Sequence, residues 1–426
     1  MPHEWQVMTA IGIFLLSYGL IISEKIHRMT VALLGAVVML LLGILSQEEA
    51  VHAVDFNTLG LLIGMMIIVG ILRRTGVFEY FAVKAAKGAK GSPAGILILL
   101  CLVTAVASAF LDNVTTVLLI VPVTLSITDT LEVDPVPFLI AEVLAANIGG
   151  TATLIGDPPN IMIGGAVGLS FNDFVFNLAP IVLLIMGVTL LLLKWIYRRE
   201  LQADDASKAR IMALDETETI KDHALLRKAA LVLALTILGF MLHGLLRLES
   251  ATIALAGAAF LLLITREEPE DILLSVEWPT LFFFIGLFII VGALEHVGVI
   301  RWVAETALRL TGGAVGPTAV LILWLSAVAS AFVDNIPFVA TMIPLIKAMG
   351  EMGGMDTMPL WWSLALGACI GGNGTIIGAS ANVIVAGMAE KNGIAISFIR
   401  FMKVAFPLML ISIVLAHIYL WWRYLS

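Results

Sequence analysis

The sequence predicts an all-α membrane protein of two inverted-topology repeats, with about ten transmembrane helices, two re-entrant hairpins and two broken helices. Three observations predict it. Hydrophobic residues fill 60% of the 426 positions and charged ones only 13%, against roughly 45–50% and 25% in soluble domains. The segment AVASAFLDN at 105–113 returns as AVASAFVDN at 327–335, identical at eight of nine positions and offset by 222 residues. In each copy an Asp-Asn pair and a glycine-rich string interrupt runs that otherwise read as membrane helices.

A bilayer core of about 30 Å asks for about 20 helical residues. Apolar runs approaching or exceeding this length lie at 7–22, 30–46, 57–72, 94–111, 114–128, 138–165 and 173–196, and then at 228–246, 250–265, 279–295, 316–333, 335–349, 360–388 and 401–424. The first has neither a basic leading region nor a small-residue cleavage site, so it reads as a retained helix rather than a signal peptide. Between the two sets, Lys194 to Lys228 mixes seven acids with eight bases. This pattern predicts a solvated linker, not a nucleic-acid arm, and divides the chain into a first repeat (1–193), a linker (194–228) and a second repeat (229–426). Cys101 and Cys369 both sit in apolar runs, and two distant thiols make neither a disulfide framework nor a thiolate metal site. No metal and no cofactor is expected.

The offset of 222 persists without a gap: Gly70 pairs with Gly292, Gly76 with Gly298, Pro122 with Pro344, Gly149-Gly150 with Gly371-Gly372, Thr153 with Thr375, Gly156 with Gly378 and Asn160 with Asn382. Self-similarity in one register over this distance is a duplication. Each half has an odd number of crossings, which inverts the second. Threaded this way, all 15 basic residues of the first half and linker, Lys25, Arg28, Arg73 and Arg74 among them, fall on one side. The positive-inside rule makes that side cytoplasmic and both termini periplasmic.

Carboxylates in lipid cost about 2.5–3.5 kcal/mol at a helix centre and so face cavities or serve ions. Asp112-Asn113 and Asp334-Asn335 lie in the middle of apolar stretches where a polar break lets the chain fold back; an ordinary interfacial turn between two full spans is the alternative, since 18 residues before Asp112 suffice to cross. Pro122 and Pro344 then interrupt the following arms. The strings NIGGTATLIGDPPN at 147–160 and CIGGNGTIIGASAN at 369–382 cannot stay continuous helices, because Gly and the Pro158-Pro159 pair favour unwinding. Unwound backbone at membrane depth belongs where it lines a cavity, and paired broken helices point to a transport site. The expected substrate and ion ligands are Asp112, Asn113, Thr115, Thr116, Gly150, Thr151, Thr153, Asp157, Asn160, Asp334, Asn335, Gly372, Asn373, Thr375, Ser380 and Asn382. Asp112, Asp334 and Asp157 are the expected proton carriers, with Glu142 a further one or else a residue near the cytoplasmic interface.

Other features read as structural. Gly70, Gly76, Gly292 and Gly298 suit close helix packing. Glu295-His296 marks a membrane interface, and Trp361-Trp362 with Trp421-Trp422 read as aromatic belts. The halves differ at Asp157, matched by Ala379, and at Thr115, matched by Pro337. That asymmetry predicts asymmetric coupling.

The strings SAFLDNVTTVLLIVPVT, AEVLAANIGGTATLIGDPPN, SAFVDNIPFVATMIPL and GACIGGNGTIIGASANV resemble those of the ArsB/NhaD group of the ion transporter superfamily, in particular the branch containing the albinism P protein. The resemblance implies hairpins opening to opposite sides, an elevator-like division into scaffold and transport parts, and an option for a homodimer. It also implies that the two tips and the two broken helices frame the substrate. Dicarboxylate and citrate relatives carry Ser-Asn-Thr at their tips, and aspartate in place of that serine argues against carboxylate transport here.

A core with acids and amides but no Lys or Arg other than Lys347 repels multiply charged anions and leaves arsenite or antimonite efflux and Na⁺/H⁺ antiport, which the residues alone do not separate. The resemblance to the ArsB group implies proton-coupled arsenite or antimonite efflux as the leading expectation. A citrate-like anion transporter or channel is the further alternative. An enzyme is not expected: the sequence has no G-x-G-D or H-E-x-x-H string. With no Walker A loop either, energy comes from an ion gradient or a partner ATPase.

Overall fold

The computed structural model describes residues 4–23 and 25–426, which among themselves contain helices and turns but no strand. The first half comprises α1 (Glu4–Ser23), α2 (Arg28–Leu41), α3 (Gln47–Ala53), α4 (Phe56–Arg74), α5 (Val77–Gly88), α6 (Pro93–Phe110), α7 (Asn113–Leu131), α8 (Val136–Gly150), α9 (Pro158–Val167) and α10 (Phe171–Ile196). The linker carries α11 (Asp205–Met212). The second half repeats the order as α12 (His223–Leu246), α13 (Ser250–Thr265), α14 (Pro269–Leu273), α15 (Trp278–His296), α16 (Val299–Thr311), α17 (Val315–Phe332), α18 (Asn335–Gly353), α19 (Met358–Gly371), α20 (Ser380–Lys391) and α21 (Phe398–Leu420). Helices α4, α6 and α7 map onto α15, α17 and α18 at both ends under the offset of 222. Helices α3, α5, α14 and α16 are too short or too polar to register as apolar runs, which is why the sequence pattern omits them.

Caps fix the starts. Ser46 and Ser170 form capping boxes with Glu49 and Asp173, and Asp55 accepts from the backbone of Asn57 and Thr58 to open α4. Side-chain oxygens of this kind satisfy the orphan N–H groups of a first turn. Gly76 and Gly298 open α5 and α16 with φ of +78° and +81°. The packing role expected of them is corrected for Gly298, which has open space where a side chain would be and is required by its left-handed backbone alone, whereas Gly76 also packs closely, against the backbone carbonyl of Thr219. Gly70 and Gly292 do pack closely, against Ser275 and Ala53.

The halves are interlocked by exchange. α4 of the first half packs on α13 of the second, and α2 of the first on α15 of the second. A Cβ on Gly64 would lie 2.5 Å from the carbonyl carbon of Ala254, and one on Gly286 would lie 2.5 Å from that of Ala32. These are the same contact made twice, since each partner is displaced by 222. Helices α1, α2, α4, α12, α13 and α15 thereby form one packed group, called the scaffold below. The remaining long helices pair within each half, α6 with α8 and α17 with α19, where Gly149 and Gly371 sit against the backbones of Ala105 and Ala327.

Among the described residues, nine helices are long and apolar enough to cross a membrane, α6, α7 and α17 among them. Crossing is completed by α1, α2, α4, α8 with α9, and α10 in the first half, and by α12, α13, α15, α19 with α20, and α21 in the second. Five per half is odd, and the second half runs inverted. Two expectations change. Trp361 and Trp362 are not belt residues: both are buried, and Trp362 packs edge-on to Phe174 at 5.4 Å. Trp421 and Trp422 are exposed as a belt requires. The run at 30–46 does not continue as one helix, because α2 ends at Leu41 in a turn through Gly43.

Candidate functional site

Each hairpin places an aspartate where its second arm begins. Asp112 Oδ1 accepts from Thr115 N at 2.8 Å and its Oδ2 from Thr115 Oγ at 2.5 Å, capping α7, while Thr116 Oγ donates to the Asp112 carbonyl at 3.0 Å. Asp334 Oδ1 accepts from Ile336 N at 3.1 Å and caps α18; Pro337, matching Thr115, supplies no donor. Both acids therefore have a local helical reason to exist.

The breaks between α8 and α9 and between α19 and α20 meet these tips. Asn113 Nδ2 donates to Asn147 Oδ1 at 3.0 Å and lies 3.4 Å from Asp157 Oδ1. Asn335 Nδ2 approaches the same Asp157 oxygen at 3.5 Å from the other hairpin. Asn147 Nδ2 donates to Asn373 Oδ1 at 2.8 Å and Asn382 Oδ1 at 2.9 Å, joining the two repeats. Since each break lies partway along a crossing, tips that touch the breaks lie inside the membrane. The hairpins are thus re-entrant, and the reading of α6–α7 as two full spans is excluded.

Many expected ligands are spent on holding the breaks open. Thr151 Oγ donates to Asn147 O at 2.7 Å, Thr153 Oγ to Ala109 O, and Asn160 Nδ2 to the carbonyls of Thr151 and Thr153 at 3.1 and 2.9 Å. The second half copies this: Thr375 Oγ donates to Ala331 O at 2.5 Å, and Asn382 Nδ2 to Gly372 O and Thr375 O, both at 2.8 Å. Gly150 faces the Gly156 carbonyl and Gly372 that of Gly378, too close for a side chain on the first. These residues shape the site more than they line it. Glu142 stands apart: it is 1% exposed, accepts from Thr124, and keeps its other oxygen unpartnered. That places it in the packing of α7 on α8 rather than at an interface or in the shared cluster.

Asp157 is the acid without a local explanation. It is 1% exposed, sits at the cap position of α9 without bonding that helix, and has no partner for Oδ2. It lines a cavity of about 20 Å³ with Asp112, Asn113, Glu277, Thr280, Asn335, Ser380 and Arg28, room for about one water.

Arg28 overturns the expectation of a core without Arg. Its Nη1 donates to Asp334 Oδ2 at 2.7 Å and to Ser380 Oγ at 2.5 Å, and Ser380 Oγ donates to Asp334 Oδ2 at 2.7 Å. Arg28 is the first residue of α2, next to an apolar run where a charge reads as an interface marker, and its hydrogen bonds to Asp334 and Ser380 are what place it at the tip. Glu277, standing just before the 19-residue α15, is likewise a charge at the edge of an apolar run. Asn147 and Cys369 were legible in the two motif strings: they occupy matched positions, and Cys369 Sγ donates to Asn160 Oδ1 at 3.5 Å.

Four helix N-termini converge on this cluster: α7 and α18 at the tips, and α9 and α20 at the breaks. Each carries roughly half a positive charge, although Pro158-Pro159 withhold two donors from α9. Amides, helix ends, three aspartates and one arginine can hold an anion together with a cation.

The citrate transporter family CitMHS matches residues 18–367. An "Uncharacterized transporter" of Mycobacterium tuberculosis is 47% identical over 98% of this chain and 98% of its own length. The human P protein is 36% identical over 99% of this chain and 61% of its own. In fold the chain is similar to the crystal structure of the YdaH transporter of Alcanivorax borkumensis, with a TM-score of 0.59 and 14% identity over 99% of this chain and 98% of that one. The resemblance to the ion transporter superfamily and to the P protein holds, while the narrower assignment to ArsB/NhaD finds no support in the matched family. The chain belongs to the CitMHS citrate transporter family and is a multi-pass membrane transporter, not an enzyme.

Proposed function

We propose that the chain is a secondary transporter of a small citrate-like carboxylate in the bacterial inner membrane, with H⁺ or Na⁺ bound beside the substrate. The observation that carries this reading is the convergence of four helix N-termini on the amide cluster. Helix ends favour carboxylates through free N–H groups and the macrodipole. The tip aspartates, expected to repel such a substrate, turn their oxygens toward their own helices and Arg28. Asp157 faces the cluster uncompensated, and a cation there offsets its charge when an anion binds. The hairpins and broken helices would then move as a unit against the scaffold, as an elevator.

A second reading, cation/proton antiport, draws on the same free oxygen of Asp157 among carboxamides, which suits a cation alone. Proteoliposomes separate the readings. Labelled citrate uptake is followed with internal pH while Na⁺, arsenite and antimonite are added in turn. Saturable citrate uptake that depends on H⁺ or Na⁺ supports the carboxylate reading. Proton movement with Na⁺ or arsenite and none with citrate rejects it.

A further inference from the structure

The scaffold grips the two hairpins unequally. Tyr18 on α1 donates to the Pro337 carbonyl of hairpin α17–α18 at 2.7 Å, and Arg28 on α2 reaches the tip of the same hairpin and the start of α20. The guanidinium carbon also lies 5.1 Å from the ring centroid of Phe283, a fully buried residue of α15. Because α2 is locked to α15 at Ala32 and Gly286, Arg28 acts from a fixed body upon two elements of the other. The tip of α6–α7 has, among the described residues, no side-chain hydrogen bond to the scaffold. The duplication sharpens the contrast. The position matching Arg28 is Ser250, so the first half has no equivalent cation. Asp112 lines the small cavity with Glu277, a second acid, and with Arg28, whose side-chain hydrogen bonds go to Asp334 and Ser380 and not to Asp112.

We propose that Arg28 is a tethered cation. It fills, from the scaffold, the position that a coupling cation would take at the second tip, where Asp334 and Ser380 present two oxygens, and it must let go before hairpin α17–α18 and α20 can move. This rests on the cluster being the transport site. The tip at Asp112, beside Glu277 and Asp157, is then the one that needs a cation from solution, and the carrier uses one fewer than its symmetry suggests. The ion pair is only partly exposed, at 27% for Arg28 and 14% for Asp334, so its loss leaves a poorly hydrated carboxylate, a costly state.

The test uses purified full-length protein in detergent and reads Tm, which needs no substrate and so fails or succeeds independently of the citrate reading. Choline chloride holds ionic strength constant while NaCl or millimolar methylguanidinium is titrated. Arg28→Ala is expected to lower Tm by about 4 °C and to recover it with a saturating response to Na⁺ or methylguanidinium beyond that of wild type. Arg28→Ala with Asp334→Asn should show no such extra response, and Arg28→Lys should remain close to wild type. If Arg28→Ala yields no folded protein, Arg28→Gln is read by the same criteria. An unchanged Tm in the neutral variant overturns the proposal, as does a response no larger than wild type, or an equal response in the double variant.

Discussion

At the scale of single residues, the acids divide by what their oxygens already do. Asp112 is both an N-cap and a cluster member, and substitution separates the roles. Asparagine caps as well as aspartate, so Asp112→Asn is expected to keep its Tm and lose cation-dependent uptake, whereas Asp112→Ala also loses about 1 kcal/mol of stability. Uptake at the wild-type rate in the asparagine variant removes Asp112 from the ion site. Asn147 is predicted to matter more for architecture. Its carboxamide joins Asn113, Asn373 and Asn382, and Asn147→Ala leaves buried partners unpaired at about 1–3 kcal/mol each. A Tm within a degree of wild type would show that water replaces it. Cys101→Ser with Cys369→Ser is expected to transport normally, since a hydroxyl can donate to Asn160 as the Cys369 thiol does.

Among the elements, the exchanged helix pairs are the part most exposed to small steric changes. Gly64→Ala and Gly286→Ala each push a methyl group into backbone at 2.5 Å, and overpacking of this kind costs about 1–3 kcal/mol. Because the contact is one contact made twice, the two variants should lower Tm by similar amounts, while Gly316→Ala, with open space around it, should not. Unequal losses would break the proposed equivalence. The duplication, the broken helices and the tips were legible because glycine, proline and Asp-Asn leave marks in an otherwise apolar chain. The exchange was not: Gly64 and Ala254 look like any small residues in membrane helices, and periodicity carries no information about which helix they meet. Arg28 and Glu277 were hidden differently. A charge next to an apolar run reads as an interface marker, and only the hydrogen bonds of Arg28 to Asp334 and Ser380 put it at the tip.

For the molecule as a whole, the linker is a docked part rather than a loose tether. Lys87 of α5 pairs with Glu216 at 2.5 Å, Arg210 with Glu132 at the end of α7 at 2.6 Å, and Lys221 N donates to Thr75 O at 2.9 Å. The Lys87 hydrogen bond holds the Glu216 carboxyl below its ordinary range, and the Thr217 hydroxyl and backbone do the same for Asp215. A depressed folded-state value means the stabilisation is complete above the ordinary carboxylate range, about 4, and fades as pH falls below it. Amide exchange across 204–222, corrected for intrinsic rates, is therefore expected to be slow at pH 7 and to lose protection below about pH 4, and Lys87→Gln should lose protection already at pH 7. The linker also reports orientation. With five crossings in each half, the side holding the linker is opposite both termini, and the basic residues of α5 and the linker predict, by the positive-inside rule, that this side is cytoplasmic. A cysteine placed at exposed Thr217 in the Cys101→Ser, Cys369→Ser background should resist an impermeant maleimide in intact cells and react in inverted vesicles, while one at exposed Ser426 should do the reverse. Labelling of both from the same face would contradict the odd crossing count, and with it the inverted relation on which the pairing of Asp112 with Asp334 depends.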